Sequence, residues 1–189
     1  KTRIESDLIG AREIPAEALY GVQTLRGIEN FSISKFRLSE YPLFIKGLAI
    51  TKMAAAMANF ELGLLTVEQK DAIIAACGEI IDGKHHDQFP VDMIQGGAGT
   101  TTNMNANEVI ANRALELMGH ERGEYQYCSP NDHVNCSQST NDAYPTAIHI
   151  GMYFKHLQLL PHLEELIASF RKKGEEFSRI IKMGRTQLE

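Results

Sequence analysis

GGAGTTTNMNAN, residues 96–107, is the stretch around which the rest of the chain is organised. Glycine allows backbone conformations that a Cβ atom forbids, and threonine and asparagine are favoured N-caps. The stretch therefore predicts a tight turn and a helix that begins near Thr101 or Thr102. Backbone N–H groups at a helix start form an anion site. Because no lysine follows the glycines, a carboxylate suits this site better than a nucleotide phosphate. A turn that only caps a helix is the alternative.

Helical spacing of apolar residues continues on both sides of this turn. One stretch runs from Pro42 to Gly63, and a second starts at the capping-box sequence 66–69 and ends at Gly83. The helix after the glycine-rich turn should end before Gly119. Residues 1–40 predict short helical turns and an extended arm, and no strand-period run competes with helix anywhere. The chain is therefore predicted to be mainly α.

The longest predicted helix starts after the cap sequence Ser139–Asp142. Pro161 lies within it, where proline should kink or break a helix. The helix is unusually apolar for one with so little chain left to cover it, which predicts further bundle helices or a partner subunit. Because the polar end at Glu189 has no cap, we expect the chain to be part of a longer protein.

Composition excludes several classes of protein. The net charge is −5 and no basic block is present, so no nucleic-acid partner is expected. No apolar run approaches the roughly 20 residues of a membrane span. The charged N-terminus lacks the apolar core of a secretory signal. Three scattered cysteines are typical of reduced thiols, so a cytoplasmic location is expected. Cys128, His133 and Cys136 lack a fourth ligand, so they do not predict a zinc site.

Two further clusters of neutral hydrogen-bonding residues accompany the glycine-rich turn. They are residues 137–142, read SQSTND, and the pair Thr186-Gln187. Three such clusters could surround one small dianion, since each donor to a charged acceptor contributes about 1.5–3 kcal/mol. Three unrelated helix caps would have the same composition. The residues alone leave both interpretations open.

Five stretches resemble the fumarase/aspartase superfamily of lyases and follow one another in the family's order. They are residues 20–31, 96–105, 130–135, 137–142 and 182–188. The resemblance extends over essentially the whole chain. It implies an N-terminal, mostly helical lyase domain at residues 1–138 and the truncated start of a central five-helix bundle domain at residues 139–189.

Three positions separate the two branches of this superfamily. Fumarases usually carry serine where this chain has Ala98, and histidine where it has Ser129 and Gln187. The chain is thus more similar to the aspartase branch, which implies elimination of ammonia from L-aspartate to give fumarate. A fumarase acting on malate and a non-catalytic helical interaction domain remain the alternatives. Cys136 stands where the family commonly has lysine.

The resemblance also implies roles for individual residues. The substrate-binding residues would be Thr100, Ser139, Thr140, Asn141, Thr186 and Gln187, with Asn103 supporting the first loop. Thr140 and Asn141 would lie near the carboxylate that takes up charge, and Thr186 and Gln187 would come from a neighbouring subunit. The family is homotetrameric, and its chemistry needs no metal or organic cofactor. Its catalytic base is a serine in a mobile loop that these 189 residues do not contain. We therefore expect the chain alone to be inactive.

Overall fold

Helices dominate the computed structural model, which describes residues 1–185 and 187, and the mainly α prediction is confirmed. The longer helices are α1 (Val22–Asn30), α2 (Pro42–Glu61), α3 (Val67–Ile81), α4 (Thr100–Leu117) and α5 (Thr140–Phe177). Short 3-10 turns cover Leu38–Glu40 and His86–Gln88, and a π turn covers Pro130–Val134. The chain divides into two units, Lys1–Met152 and Tyr153–Glu189. The domain boundary between residues 138 and 139 stays a prediction.

The chain opens with an antiparallel hairpin of β1 (Thr2–Asp7) and β2 (Gly10–Pro15), which the sequence did not predict. Short helical turns were expected here, including one near Pro15. The strands lack an apolar alternation, because the inward position in β1 is Glu5. Its carboxylate accepts hydrogen bonds from the Tyr125 hydroxyl at 2.9 Å and the Val22 N–H at 3.0 Å. The hairpin is therefore fixed by polar contacts with distant residues.

Local signals place α2 and α3 where the sequence predicted them. Pro42 occupies the first turn of α2, and Gly63, with a φ of +74°, follows its end. In α3 the Thr66 hydroxyl accepts the Gln69 N–H at 3.2 Å, while the Gln69 side chain accepts the Thr66 N–H at 3.1 Å. This reciprocal pair is the predicted capping box.

The core of the first unit lies between α2, α3 and α4. Its fully buried side chains include Ile45, Leu48, Ile73, Ile80, Ile110 and Leu115. The first turns of α5 pack closely on α2. A Cβ on Gly47 would collide with the Ala147 carbonyl oxygen, and one on Gly151 would come within 3.0 Å of the Leu43 carbonyl oxygen. These two glycines therefore set how near the two helices can come.

By length and composition, α2 is the one helix among the described residues that could cross a membrane. Buried core helices meet the same criterion, and Phe44, Ile45, Leu48 and Ala49 of α2 are buried in this unit. The expectation that no apolar run approaches this length is corrected for α2.

The second unit contains the remainder of α5 and the residues that follow it. The helix runs without a break through Pro161 to Phe177. Of the predicted kink or break at Pro161, the break is wrong and the kink stays a prediction. Apolar side chains along it are exposed in the single chain: Leu157, Leu160, Leu163, Ile167 and Phe170.

Candidate functional site

The glycine-rich turn is locked against the start of α5. Gly99 is the N-cap of α4, with a φ of +91°, and it is buried. A Cβ at this position would collide with the ring of Tyr144 in α5. The helix begins at Thr100, slightly earlier than predicted, and no side chain caps it. The threonines are therefore not the caps that the sequence suggested, because glycine takes the left-handed cap position.

Two backbone N–H groups at this helix start, those of Thr102 and Asn103, already have partners. The Thr102 N–H donates to Gln95 Oε1 at 2.8 Å, and Gln95 Nε2 donates to the Thr102 hydroxyl at 2.7 Å. The Asn103 N–H donates to the Gly99 carbonyl at 3.0 Å. An anion at this helix start would therefore have to use the N–H groups that precede Thr102.

Two cavities adjoin the turn. One, of about 750 Å³, has Thr100, Ser129, Asn131 and Arg26 among its lining residues. The other, of about 510 Å³, is lined by Gly97–Gly99 together with Asn141, Tyr144 and Pro145. Thr100 and Asn141 thus line different cavities in the single chain.

The start of α5 holds the second cluster of predicted residues. The Ser139 hydroxyl accepts the Asn141 N–H at 3.1 Å, so Ser139 caps the first turn. Ser139 and Asn141 are exposed, and Thr140 is half-buried. Asn103 Nδ2 donates to the Thr140 hydroxyl oxygen at 3.1 Å. The structure therefore brings Asn103 and Thr140 together. Asn103 was expected to support the glycine-rich turn, and its side chain contacts the start of α5.

The third predicted cluster belongs to the second unit. Gln187 is exposed there, and Thr186 lies outside the described residues. That Thr186 and Gln187 contact the other two clusters of a neighbouring subunit stays a prediction.

Lys52, which the sequence motifs did not single out, is a fully buried charged residue of the first unit. Its side chain is 0% exposed, and Nζ donates to Asn135 Oδ1 at 2.9 Å and to Gln138 Oε1 at 3.0 Å. Burial lowers the pKa of Lys52 to about 7. Its spacing of four residues from both Leu48 and Ala56 places it on the apolar face of α2, and this was the available signal.

Lys52 belongs to a polar network that ends at the second cluster. Asn135 Oδ1 also accepts hydrogen bonds from Asn103 Nδ2 at 3.0 Å and Asn107 Nδ2 at 3.3 Å. Asn135 Nδ2 donates to the Gln138 carbonyl at 3.0 Å. The segment just before Thr140 is therefore fixed by side chains from both α2 and α4.

Ser129, where the resemblance led us to compare serine with histidine, caps the π turn. Its hydroxyl accepts the Asp132 N–H at 3.1 Å, and its own N–H donates to His133 Nδ1 at 2.7 Å. Burial raises the pKa of the neighbouring Cys128 thiol to about 12, so this thiol is inert as a nucleophile. The described residues contain no group of three or more histidine, cysteine or acidic side chains placed to hold a metal ion.

Comparison with known proteins gives consistent results over nearly the whole chain. A protein-family model described as Lyase matches residues 10–189. Aspartate ammonia-lyases of Pseudomonas canavaninivorans and Helicobacter pylori are 59% identical over 187 residues, which is 99% of this chain and 40% of each relative. The aspartate ammonia-lyase of Escherichia coli is 57% identical over 188 residues, or 39% of its length. The chain thus spans about 40% of these relatives.

Solved structures also match the whole of this chain and less than half of the other protein. A fumarate lyase:delta crystallin protein from Brucella melitensis superimposes with a TM-score of 0.94 at 53% identity, over 100% of this chain and 44% of the other. A class II fumarase from Schistosoma mansoni gives a TM-score of 0.91 at 38% identity, over 100% of this chain and 40% of the other. The fold is therefore shared with a fumarate lyase:delta crystallin protein and a class II fumarase, while sequence identity is higher in the comparison with aspartate ammonia-lyases.

Proposed function

This chain belongs to the Lyase family, and from that premise we propose that the protein of which it forms part is an aspartate ammonia-lyase. The reaction is the reversible elimination of ammonia from L-aspartate to give fumarate. One observation carries the choice of substrate: identity is 57–59% with aspartate ammonia-lyases but 38% with a class II fumarase of nearly the same fold. Fumarase activity on malate is therefore not favoured.

The chemistry demands stabilisation of a carbanion next to a carboxylate. Removing the proton on the carbon beside one carboxylate gives an enediolate-like dianion, after which ammonia leaves from the neighbouring carbon. Fixed neutral donors stabilise such charge, and loss of one can cost about 10²–10³-fold in rate. Thr100, Ser139, Thr140 and Asn141 are proposed to bind the substrate. The N-terminus of α5, at Thr140, adds a partial positive charge that favours a carboxylate.

The catalytic base is proposed to come from the rest of the protein. The family's serine-containing loop does not occur in these 189 residues, which span about 40% of the relatives. Residues 1–189 alone should therefore not release fumarate from aspartate. Sustained fumarate release by this purified segment would contradict the assignment of the base.

A homotetramer is proposed for the complete protein. The exposed apolar side chains of α5, such as Leu160 and Phe170, support it, because such a stripe is normally covered by other helices. In that assembly Thr186 and Gln187 would reach a neighbouring subunit's site. The mass of the complete protein in solution tests the assembly, and a monomer would contradict it.

Fumarate absorbance provides the decisive assay on the complete protein. We expect a signal with aspartate and none with malate; the reverse would establish a fumarase. Thr140→Val and Asn141→Ala should abolish most turnover and leave the melting temperature within a few degrees. If these variants lose stability but retain turnover, the residues are only helix caps.

A further inference from the structure

Three consecutive hydrogen bonds connect Lys52 to Thr140. Lys52 Nζ donates to Asn135 Oδ1 at 2.9 Å, Asn103 Nδ2 donates to the same oxygen at 3.0 Å, and Asn103 Nδ2 donates to the Thr140 hydroxyl oxygen at 3.1 Å. Lys52 and Asn103 are both almost completely buried, at 0% and 2% exposure. Water therefore has little access to the Lys52 amine and the Asn103 amide, while Asn135 and Thr140 are half-buried.

The chain of bonds has a fixed direction. Asn135 presents its oxygen to Lys52, because its amide nitrogen donates to the Gln138 carbonyl at 3.0 Å. Gln138 also presents its oxygen to Lys52, since its nitrogen donates to the Val134 carbonyl at 2.9 Å. Two oxygens thus converge on an amine that can donate to both, whether it is charged or neutral. The oxygen of Asn135 in turn requires that Asn103 approach it with its amide nitrogen.

The orientation of Asn103 decides what Thr140 can do. Both N–H groups of Asn103 are used, one on Asn135 and one on the Thr140 hydroxyl oxygen. Because that oxygen is an acceptor in this bond, the hydroxyl proton must point elsewhere and can be donated. Among the residues that the structure describes, no partner is present for Asn103 Oδ1. With the amide reversed, this buried oxygen could accept the Thr140 proton.

We propose that Lys52, Asn135 and Asn103 are positioning residues that keep the hydroxyl proton of Thr140 directed toward the substrate carboxylate. The proposal rests on the proposed function, in which Thr140 binds that carboxylate. Lys52 secures the acceptor oxygens of Asn135 and Gln138, and Asn103 transmits this arrangement to Thr140. The unpaired Asn103 oxygen is the cost of keeping the Thr140 proton available, since an unsatisfied buried acceptor is destabilising.

A double-mutant cycle in the complete enzyme tests whether Lys52 acts through Thr140. Lys52→Met should lower kcat with aspartate by about 10-fold or more, mainly without a matching rise in KM, because the hydrogen bond strengthens in the transition state. In the Thr140→Val background, the same substitution should cost less than about 3-fold, because coupled residues are not additive. Equal fold losses in both backgrounds would overturn the proposal.

Asn105 provides a matched control for Asn103. Both asparagines lie on α4, both are buried, and both have an unpartnered Oδ1 among the described residues. Asn105 Nδ2 donates instead to the Gln88 carbonyl at 3.0 Å. Asn103→Ala and Asn105→Ala should lower the melting temperature similarly, while only Asn103→Ala lowers kcat by about 10-fold or more. Similar kcat losses in both variants would show a merely structural role for Asn103.

A neutron structure of the deuterated complete protein gives a test that does not depend on activity. A Thr140 deuteron that points away from Asn103, with two deuterons on the Asn103 nitrogen facing Asn135 and Thr140, supports the proposal. A Thr140 deuteron on the Asn103 oxygen overturns it. If this geometry is confirmed but Thr140→Val retains full turnover, the assigned role of Thr140 fails while the directed hydrogen bonds stand.

Discussion

Replacing Gly99 by alanine should be among the most damaging single-methyl additions in the first unit. The backbone here has a φ of +91°, and a left-handed conformation costs a non-glycine residue about 1–2 kcal/mol. The added Cβ would also collide with the Tyr144 ring, and overpacking typically costs about 1–3 kcal/mol more. Together these contributions predict a loss of about 2–5 kcal/mol in local stability around the turn.

A Gly63→Ala variant separates the backbone contribution from the packing contribution. Its φ is +74°, but a Cβ there would have no neighbour within 4 Å. Gly63→Ala should therefore cost only the backbone contribution of about 1–2 kcal/mol. The difference between the two variants, about 1–3 kcal/mol, measures the contact between the turn and Tyr144.

Hydrogen exchange of the complete protein provides the assay. Peptides that cover residues 95–107 and 139–150 should exchange faster in Gly99→Ala, with each tenfold change corresponding to about 1.4 kcal/mol. Gly63→Ala should affect only peptides near the end of α2. If both glycines give the same loss, or if Tyr144→Ala does not reduce the cost of Gly99→Ala, the packing argument is refuted.

Three more predictions concern other polar contacts. Thr66→Ala should destabilise the start of α3 by about 1 kcal/mol, seen as faster amide exchange in its first turn; unchanged exchange would contradict the cap. Burial lowers the pKa of Lys52 from 10.5 to about 7. The charged amine therefore destabilises the folded state fully below pH 7, and this destabilisation shrinks as the pH rises above 7. The wild-type melting temperature relative to Lys52→Met should therefore rise from pH 7 to pH 8.5, and a constant difference would refute this pKa. Asp92→Asn should accelerate exchange of the Ser34 and Ile94 amides, which donate to its carboxylate; equal rates would argue against that role.

Helices α2 and α3 were predictable because their signals are local. Pro42 starts α2, Gly63 follows its end, and the reciprocal pair of Thr66 and Gln69 starts α3. Each of these signals acts within four residues, so the sequence contains the whole cause. The same holds for the end of α4 near Gly119.

The hairpin and Lys52 were not predictable in this way, because their surroundings come from distant parts of the chain. Nothing near Glu5 in the sequence indicates its contact with Tyr125. The spacing of Lys52 places it on the apolar face of α2, but it does not indicate the contact with Asn135. The partners lie 120 and 83 residues away in the sequence. The periodicity of apolar residues indicates which face of a helix a residue occupies, but it does not indicate which distant residues pack against that face.

The candidate site likewise combines features that local sequence predicts with features that depend on distant contacts. The sequence identified the polar clusters, and the structure adds that Asn103 joins the start of α5 and that Gly99 is the cap of α4. A threonine next to a glycine is a plausible cap in sequence, but the left-handed backbone at Gly99 moves the helix start to Thr100.

The contact between Glu5 and Tyr125 has a consequence for synthesis on the ribosome. At about 5–20 residues per second, the 120 residues between the two partners take about 6–24 s to translate. During that interval the carboxylate of Glu5 lacks the hydroxyl that holds it, and Leu8 and Ile9 at the hairpin tip remain exposed, as they are in the finished chain. The hairpin is therefore synthesised well before Tyr125, the residue whose hydroxyl contacts its inward carboxylate.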